Sequence, residues 1–143
     1  MGRGEPSMTR KAWMVPASVV LVFGFAACAT SVRHDRVEPA ALLVEIDAGR
    51  APTIVDVRTR REYDAGHVPG AVHIPFYAVF AHEDELPIPR ERTVVVYCAH
   101  GPRAGVAKLA LWLAGYEDIR YLDGHMGGWK ARGLPVQVST SQP

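Results

Sequence analysis

Residues 93–97 (TVVVY) constrain the fold of this chain more than any other segment. Three consecutive valines and a tyrosine follow Thr93, so neither side of a strand formed here would suit contact with water. A strand that is apolar on both faces is typical of the centre of a parallel sheet covered by helices on both sides. We therefore predict an α/β fold built around this strand.

The rest of the chain alternates strand-length and helix-length patterns. The predicted strands, besides 93–97, are residues 53–57, 71–74 and 119–122, with a candidate edge strand at 135–138. The predicted helices are residues 38–48, a short helix capped by Thr59 that runs through Asp64, and residues 76–85, 104–115 and 126–132. In the helix at 104–115, one face carries Val106, Leu109, Ala110 and Leu113. Strands that alternate with helices indicate a parallel sheet.

Length, charge and cysteine content exclude several classes of protein. A chain of 143 residues suits one domain with a short appendage. A formal net charge of +1 provides no basic surface for nucleic acid. Two cysteines cannot form a disulfide scaffold, and 48% apolar residues argue against disorder.

The N-terminal thirty residues differ sharply in composition from the rest. Residues 12–29 carry no charge and directly follow Arg10 and Lys11. A basic segment, an apolar run and a small-residue site together predict an export signal over residues 1–27. Because eighteen uncharged residues lie near the lower limit for a spanning helix, a retained membrane anchor is the alternative. Translation could start at Met1 or at Met8.

The end of this apolar run resembles the lipobox of bacterial lipoproteins. Residues 25–28 read FAAC, and the resemblance implies that Cys28 is acylated and becomes the mature N-terminus; the alternative is an incidental thiol. Ala29 stands where an acidic inner-membrane retention signal could occur, which favours the outer membrane. We therefore expect an exported, periplasmic protein held to a membrane by lipid, with a polar tether at 28–36, a domain at 37–138 and a tail at 139–143.

The segment between the strongest strand and the following helix, residues 98–103 (CAHGPR), is the candidate site. In α/β sheets, ligands bind beyond the carboxyl ends of the strands. A helix that begins near Arg103 presents free N–H groups, which favour the thiolate form of Cys98. Arg103 could bind an anion through its guanidinium fork, and Gly101 lets the backbone curl tightly. The alternative is a buried structural cysteine. The loop lacks a lysine and is too short for a nucleotide-binding P-loop.

Three motifs in order resemble the signatures of the rhodanese family. The amino-terminal one comprises Asp56-Val57-Arg58, Glu62-Tyr63 and residues 66–75 (GHVPGAVHIP). Tyr97-Cys98 through Arg103 resembles the family's active-site loop, and residues 121–124 (YLDG) with 127–129 (GGW) resemble its carboxy-terminal signature. The resemblance covers about residues 37–138. It implies a three-layer α/β fold with a five-stranded parallel sheet and helices on both faces.

The resemblance also implies a chemistry. Cys98 would take a sulfane sulfur from a donor such as thiosulfate, become a persulfide, and pass the outer sulfur to cyanide or a thiol. The substrate would be held by main-chain amides of the loop, namely those of Ala99, His100, Gly101 and Arg103. No metal or organic cofactor is implied.

Three further residues have more structural roles in this interpretation. Pro102 has no N–H and can only shape the loop. Asp56 and Arg58, at a strand end, are expected to pair and brace the neighbouring loops, although Arg58 could also reach the rim of the site as a substrate-binding residue.

Other functions remain as alternatives. The domain could be a non-turnover sulfur carrier or a binding module for a protein that accepts sulfur. Related phosphatases have five residues between cysteine and arginine, whereas four separate Cys98 from Arg103, which disfavours a cysteine-dependent phosphatase. A thiol-redox role is weakened because no Cys-x-x-Cys pair is present.

Overall fold

A computed structural model describes residues 1, 35–81 and 86–139. Apart from Met1, these residues all belong to one compact unit, Val32–Pro143. The predicted export signal, the acylation site Cys28 and most of the predicted tether lie outside the described residues. So do residues 82–85, at the end of the helix predicted at 76–85, and residues 140–143 of the predicted tail.

The described chain alternates five strands with five helices. The strands are β1 (Arg36–Val37), β2 (Thr53–Asp56), β3 (Val72–His73), β4 (Val94–Tyr97) and β5 (Ile119–Leu122). The helices are α1 (Pro39–Asp47), α2 (Arg60–Asp64), α3 (Phe76–Ala81), α4 (Pro102–Leu113) and α5 (His125–Ala131). All strands pair in parallel in the order β1-β5-β4-β2-β3. The predicted α/β fold, with β4 at its centre, is confirmed.

The fifth strand is β1, not the candidate edge strand at 135–138, and that prediction was wrong. Arg36 and Val37 pair with residues 121 and 122 of β5, so β1 takes in the last residue of the predicted tether. Gln137 forms only an isolated antiparallel bridge with His67. The Trp129 indole N–H donates to the Pro135 carbonyl at 2.8 Å, which holds this segment against α5 and away from the sheet.

Alternating residues of β4 point to opposite faces of the sheet, as the strand period requires. Val94 and Val96 pack in one core cluster with α3 and α4. Val95 and Tyr97 pack in a second cluster, with side chains of α1 and α5. Helices therefore cover both faces, and burial on both sides explains why this strand is apolar throughout.

Helix α4 uses a different face for the core than its apolar pattern suggests. Of the predicted apolar face, only Ala110 is buried; Val106, Leu109 and Leu113 are exposed. The sheet-facing side consists of small residues and one leucine, namely Ala104, Ala107, Ala110 and Leu111. Alanines let the helix axis approach the sheet closely, and the larger apolar side chains are left facing outward.

The parallel arrangement places three strand ends at one edge of the sheet. Asp56 closes β2, Cys98 directly follows β4, and Gly124 caps α5 two residues after β5. This edge therefore collects the predicted catalytic loop and the turns that surround it. Among the described residues, no helix is long and apolar enough to cross a membrane.

Candidate active site

The loop between β4 and α4 curls around the sulfur of Cys98. The Gly101 N–H donates to Cys98 Sγ over 3.0 Å, and Pro102 occupies the first turn of α4, where its missing N–H costs nothing. Gly101 has φ +125°, and a Cβ there would lie 3.3 Å from Nε2 of His125. The positive φ therefore favours glycine, and an added Cβ would also press on the His125 ring. The Cys98 side chain is 1% exposed, so the sulfur is covered as well as hydrogen-bonded.

The start of α5 holds the other side of the same loop. The Met126 N–H donates to the Cys98 carbonyl over 3.0 Å, and the Gly127 N–H donates to the Ala99 carbonyl over 3.3 Å. A Cβ on Gly127 would meet the Ala99 oxygen at 3.5 Å. These contacts fix the backbone on both sides of the sulfur through two helices, α4 and α5.

His125 is a site residue that sequence reasoning missed. It has φ +52°, which makes it the only residue other than glycine with a positive φ in the described ranges, and it is buried. Its Nδ1 accepts the Cys98 backbone N–H over 3.5 Å. Burial, followed by the nearby Arg36 charge, lowers the pKa of His125, which keeps the ring neutral and able to accept. Its spacing in the sequence gave no signal, because its role depends on an unusual backbone angle.

Arg103 is engaged within the protein. Its two terminal nitrogens donate to the two carboxylate oxygens of Glu62 at 2.7 and 2.8 Å. Glu62 lies in α2, where it also completes a capping box with Thr59. The hydrogen bonds from Arg103 hold the pKa of Glu62 well below its usual value. The guanidinium fork predicted to bind a substrate anion is therefore occupied by Glu62 in this structure.

Asp56 and Arg58 form a buried framework beneath the site. The Asp56 carboxylate accepts from the Arg58 backbone N–H at 2.9 Å and from Nε at 2.9 and 3.0 Å. The hydroxyl of Tyr97 donates to the same carboxylate at 2.8 Å. Arg58 also donates to the Gly66 carbonyl at 2.8 Å, which ties β2 to the turn after α2. Burial, followed by the Asp56 charge, raises the pKa of Tyr97 far above its usual range, so its proton stays in place.

A cavity of about 300 Å³ adjoins the loop. Its lining residues come from α2, α5, the loop and the end of β2: Arg58, Glu62, Ala65, Ala99, His100, Met126, Gly127 and Lys130. Lys130 has no ion-pair partner among the described residues, whereas Arg58 and Glu62, the other charged lining residues, are both paired. A larger cavity of about 450 Å³ lies at the opposite edge of the sheet, and no cysteine or histidine is among its lining residues.

The predicted site residues occupy different positions around this cavity. Ala99 and His100 line it, and Cys98 lies buried directly before them. Arg58 pairs with Asp56, as expected for a residue that braces the neighbouring loops. It also lines the cavity, so both positions considered in the sequence analysis apply to it. Lys130 and Glu62, which sequence reasoning did not select as site residues, are the other charged groups. In the described part of the chain, no group of three or more His, Cys, Asp or Glu side chains is placed to hold a metal ion.

Comparisons with known proteins identify the family of this domain. The family model described as a rhodanese-like domain matches residues 38–132. The chain is 32% identical over 110 residues to a probable adenylyltransferase/sulfurtransferase, MoeZ, from Mycobacterium tuberculosis, which covers 77% of this chain but 28% of that protein. It is 35% identical over 83 residues to a sulfurtransferase from Allochromatium vinosum, covering 58% of this chain and 76% of that protein.

Solved structures show the same fold. The crystal structure of the Alr3790 protein from Anabaena sp. superposes with a TM-score of 0.64 at 31% identity, covering 73% of this chain and 83% of that one. A rhodanese-related protein from Thermoplasma volcanium gives a TM-score of 0.62 at 28% identity, covering 73% and 98%. With the family model matching most of the domain, this chain belongs to the rhodanese-like domain family and is homologous to sulfurtransferases.

Proposed function

We propose that this chain is a sulfurtransferase that moves a sulfane sulfur through a persulfide on Cys98. The observation that carries the proposal is the Gly101 N–H directed at Cys98 Sγ over 3.0 Å. A donor in this position at the start of a helix suits a sulfur that acts as a nucleophile and carries negative charge during the reaction. Membership of the rhodanese-like domain family supports the same chemistry.

The proposed reaction has two balanced displacements. The Cys98 thiolate attacks the outer sulfur of thiosulfate, an S–S bond forms to the enzyme, and sulfite leaves with the electron pair of the broken S–S bond. An acceptor such as cyanide then attacks the outer sulfur of the persulfide and leaves as thiocyanate, which restores the thiolate. No external oxidant or reductant is consumed in the cycle.

The charges around the cavity suit an anionic donor. Lys130 supplies a cation without an ion-pair partner among the described residues, while Arg58 and Glu62 are each paired. The backbone amides of Ala99, His100, Gly101 and Arg103 would hold the outer sulfur or the donor oxygens. Because Cys98 is 1% exposed, the segment from Ala99 to Gly101 must shift for the donor to reach the sulfur.

A sulfur carrier that loads Cys98 without rapid turnover is the second candidate function. The covered position of Cys98 favours this alternative, since a shielded persulfide would persist until a specific protein acceptor arrived. Steady-state turnover of thiosulfate with cyanide or a dithiol indicates the enzyme; one stoichiometric burst followed by no turnover indicates the carrier.

The proposal extends to location: the protein is exported, acylated on Cys28 and held at the periplasmic side of a bacterial membrane, with the outer membrane favoured. The support is the sequence pattern of Arg10 and Lys11, the uncharged run and the residues FAAC at 25–28. If residues 1–27 instead remain attached, they would serve as the anchor.

Intact mass spectrometry of the membrane-extracted full chain tests both parts. After thiosulfate treatment we expect a gain of one sulfur atom, which the Cys98→Ser variant should lack. Absence of the gain in the wild type, or its persistence in the variant, would refute the persulfide mechanism. The same spectrum reports whether Cys28 is acylated and whether residues 1–27 have been removed.

A further inference from the structure

Helix α4 presents an unbroken apolar surface to its outside. Every exposed residue of this helix is apolar: Pro102, Val106, Leu109, Trp112 and Leu113. The last four, here called the α4 stripe, are 43%, 53%, 64% and 60% exposed. They follow helical spacing, so they form one continuous strip. A strip of this kind indicates a surface that is covered by a partner or a membrane.

No charged side chain interrupts the α4 stripe. The two charged residues of α4 are Arg103 and Lys108, and both are directed elsewhere. Arg103 pairs with Glu62 of α2, and Lys108 pairs with Asp35, just before β1. A partner or a membrane could therefore cover the outer face of α4 without the energetic cost of burying a charged side chain.

The contact between Asp35 and Lys108 also fixes where the chain enters the domain. Lys108 lies over the ring of Tyr121 in β5, 4.6 Å from its centre, which holds it at the flank of α4. Lys108 and Trp112 are four residues apart and hence neighbours on the helix surface. Asp35, the first described residue of the domain, therefore lies beside the α4 stripe.

The chain between Cys28 and this entry point is short. Seven residue steps separate Cys28 from Asp35, which span at most about 25 Å when fully extended. A domain of this size has a radius of gyration of about 13 Å, so the reach is less than its full width. An anchor at residue 28 would thus keep the α4 side of the domain close to the bilayer.

We propose that the α4 stripe docks on the lipid surface that holds Cys28. This inference rests on the anchoring part of the proposed function and is independent of the sulfur chemistry. Trp112 suits the membrane–water interface, where its amphipathic ring is favoured, and the leucines and valine would enter the apolar boundary. The cavity beside Cys98 stays open to water in this orientation, because none of its lining residues belongs to the α4 stripe.

Quenching of tryptophan fluorescence by brominated lipids tests the docking. The full chain, extracted from membranes, is reconstituted into vesicles of brominated phosphatidylcholine and phosphatidylglycerol. We expect quenching that the Trp112→Phe variant loses. Trp129 is fully buried and stays unquenched. The mass spectrum of the same sample shows whether Trp13 is still attached. If it is, the fluorescence of Trp13 contributes equally to the wild type and to the Trp112→Phe variant.

Two charge variants serve as a matched pair. Leu109→Glu with Leu113→Glu places charges in the stripe and should abolish the quenching of Trp112. Val44→Glu alters an equally exposed residue of α1, on the other side of the sheet, and should leave the quenching intact. Equal quenching losses in both variants would contradict the proposal.

Three other outcomes would contradict docking of the α4 stripe on lipid, and each would identify the reason. If Trp112 is fully open to aqueous iodide in the vesicles, the stripe faces water. If Trp112 is protected only at high protein density and a dimer can be cross-linked, a second copy covers it. A protein without an acyl chain and without residues 1–27 refutes anchoring and docking together, whereas loading of Cys98 from thiosulfate, measured on the same vesicles, judges the sulfur chemistry separately.

Discussion

Arg103 and Glu62 form a two-point ion pair, at 2.7 and 2.8 Å, that joins the catalytic loop to α2 across 41 residues of sequence. The pair positions a carboxylate on the wall of the cavity that we assign to an anionic sulfur donor. Glu62 therefore stabilises the loop, and although its charge is paired with Arg103, it would still weaken the binding of an anionic donor.

Replacing Glu62 by Gln should lower the KM for thiosulfate roughly two- to fivefold, because one unit charge near a protein surface is worth about 1 kcal/mol or less. Replacing Lys130 by Gln should raise KM by a similar factor. Steady-state assays over a range of thiosulfate concentrations measure both. Glu45→Gln, which disrupts the remote surface pair with Arg50, is the control, and a KM that moves the same way in both cavity variants would contradict the charge argument.

The same pair predicts a pH dependence of stability. The pKa of Glu62 is lower in the folded protein than its ordinary value of 4.5, mainly because of the hydrogen bonds from Arg103. Below about pH 4.5 the unfolded chain therefore binds more protons at this residue than the folded one, and the stabilisation declines as the pH falls towards the folded pKa. The difference in free energy of unfolding between wild type and Glu62→Gln should be complete at pH 7 and smaller at pH 3 in urea titrations. A difference that grows in acid would be inconsistent with the ion pair.

Asp56→Asn should destabilise the fold by about 3–5 kcal/mol, because it leaves the buried guanidinium of Arg58 without its partner. The chain contains a matched control in Asp118 and Arg120, which have the same two-residue spacing and similar bond lengths. That pair is roughly 40% exposed, so Asp118→Asn should cost about 0–1 kcal/mol. Thermal or urea unfolding compares them, and equal losses would show that burial does not set the cost.

His125 should make stability fall in mild acid. Its pKa lies below the ordinary value of 6.5, so between pH 6.5 and the folded pKa the unfolded state takes up a proton that the folded state does not. Wild type should lose more stability than His125→Asn between pH 7.5 and pH 5.5. The ring faces Arg36, Asp123 and His100, and parallel curves for the two proteins would mean that His125 does not contribute.

Substitutions at Gly127 should show whether the cavity space beside this residue is used by the substrate. An added Cβ would be in ordinary contact with the Ala99 oxygen at 3.5 Å, so Gly127→Ala should be tolerated. Gly127→Leu would fill the cavity and lower kcat/KM for thiosulfate at least about tenfold, since small displacements at a reacting site are costly. Circular dichroism confirms that both variants fold, and full activity in the leucine variant would place the substrate elsewhere.

Sequence patterns predicted the central strand, most helices and the position of the loop because these depend on local periodicity. They missed β1, since two residues are too few for a period and the pairing of Arg36 with Tyr121 is non-local. They also selected the larger apolar residues of α4 as its main face, although close packing on the sheet selected alanines. The partners of Arg103 and of the Cys98 backbone, Glu62 and His125, come from distant segments that no local pattern connects.

The burial of the Cys98 sulfur limits which acceptors can reach it. At 1% exposure, Cys98 is out of reach for a cysteine on the rigid surface of another protein. Because the segment from Ala99 to Gly101 would have to shift first, a protein that accepts the sulfur would need to hold that segment open or insert its thiol into the gap. The burial of one side chain thus selects among acceptors by shape before any chemistry begins.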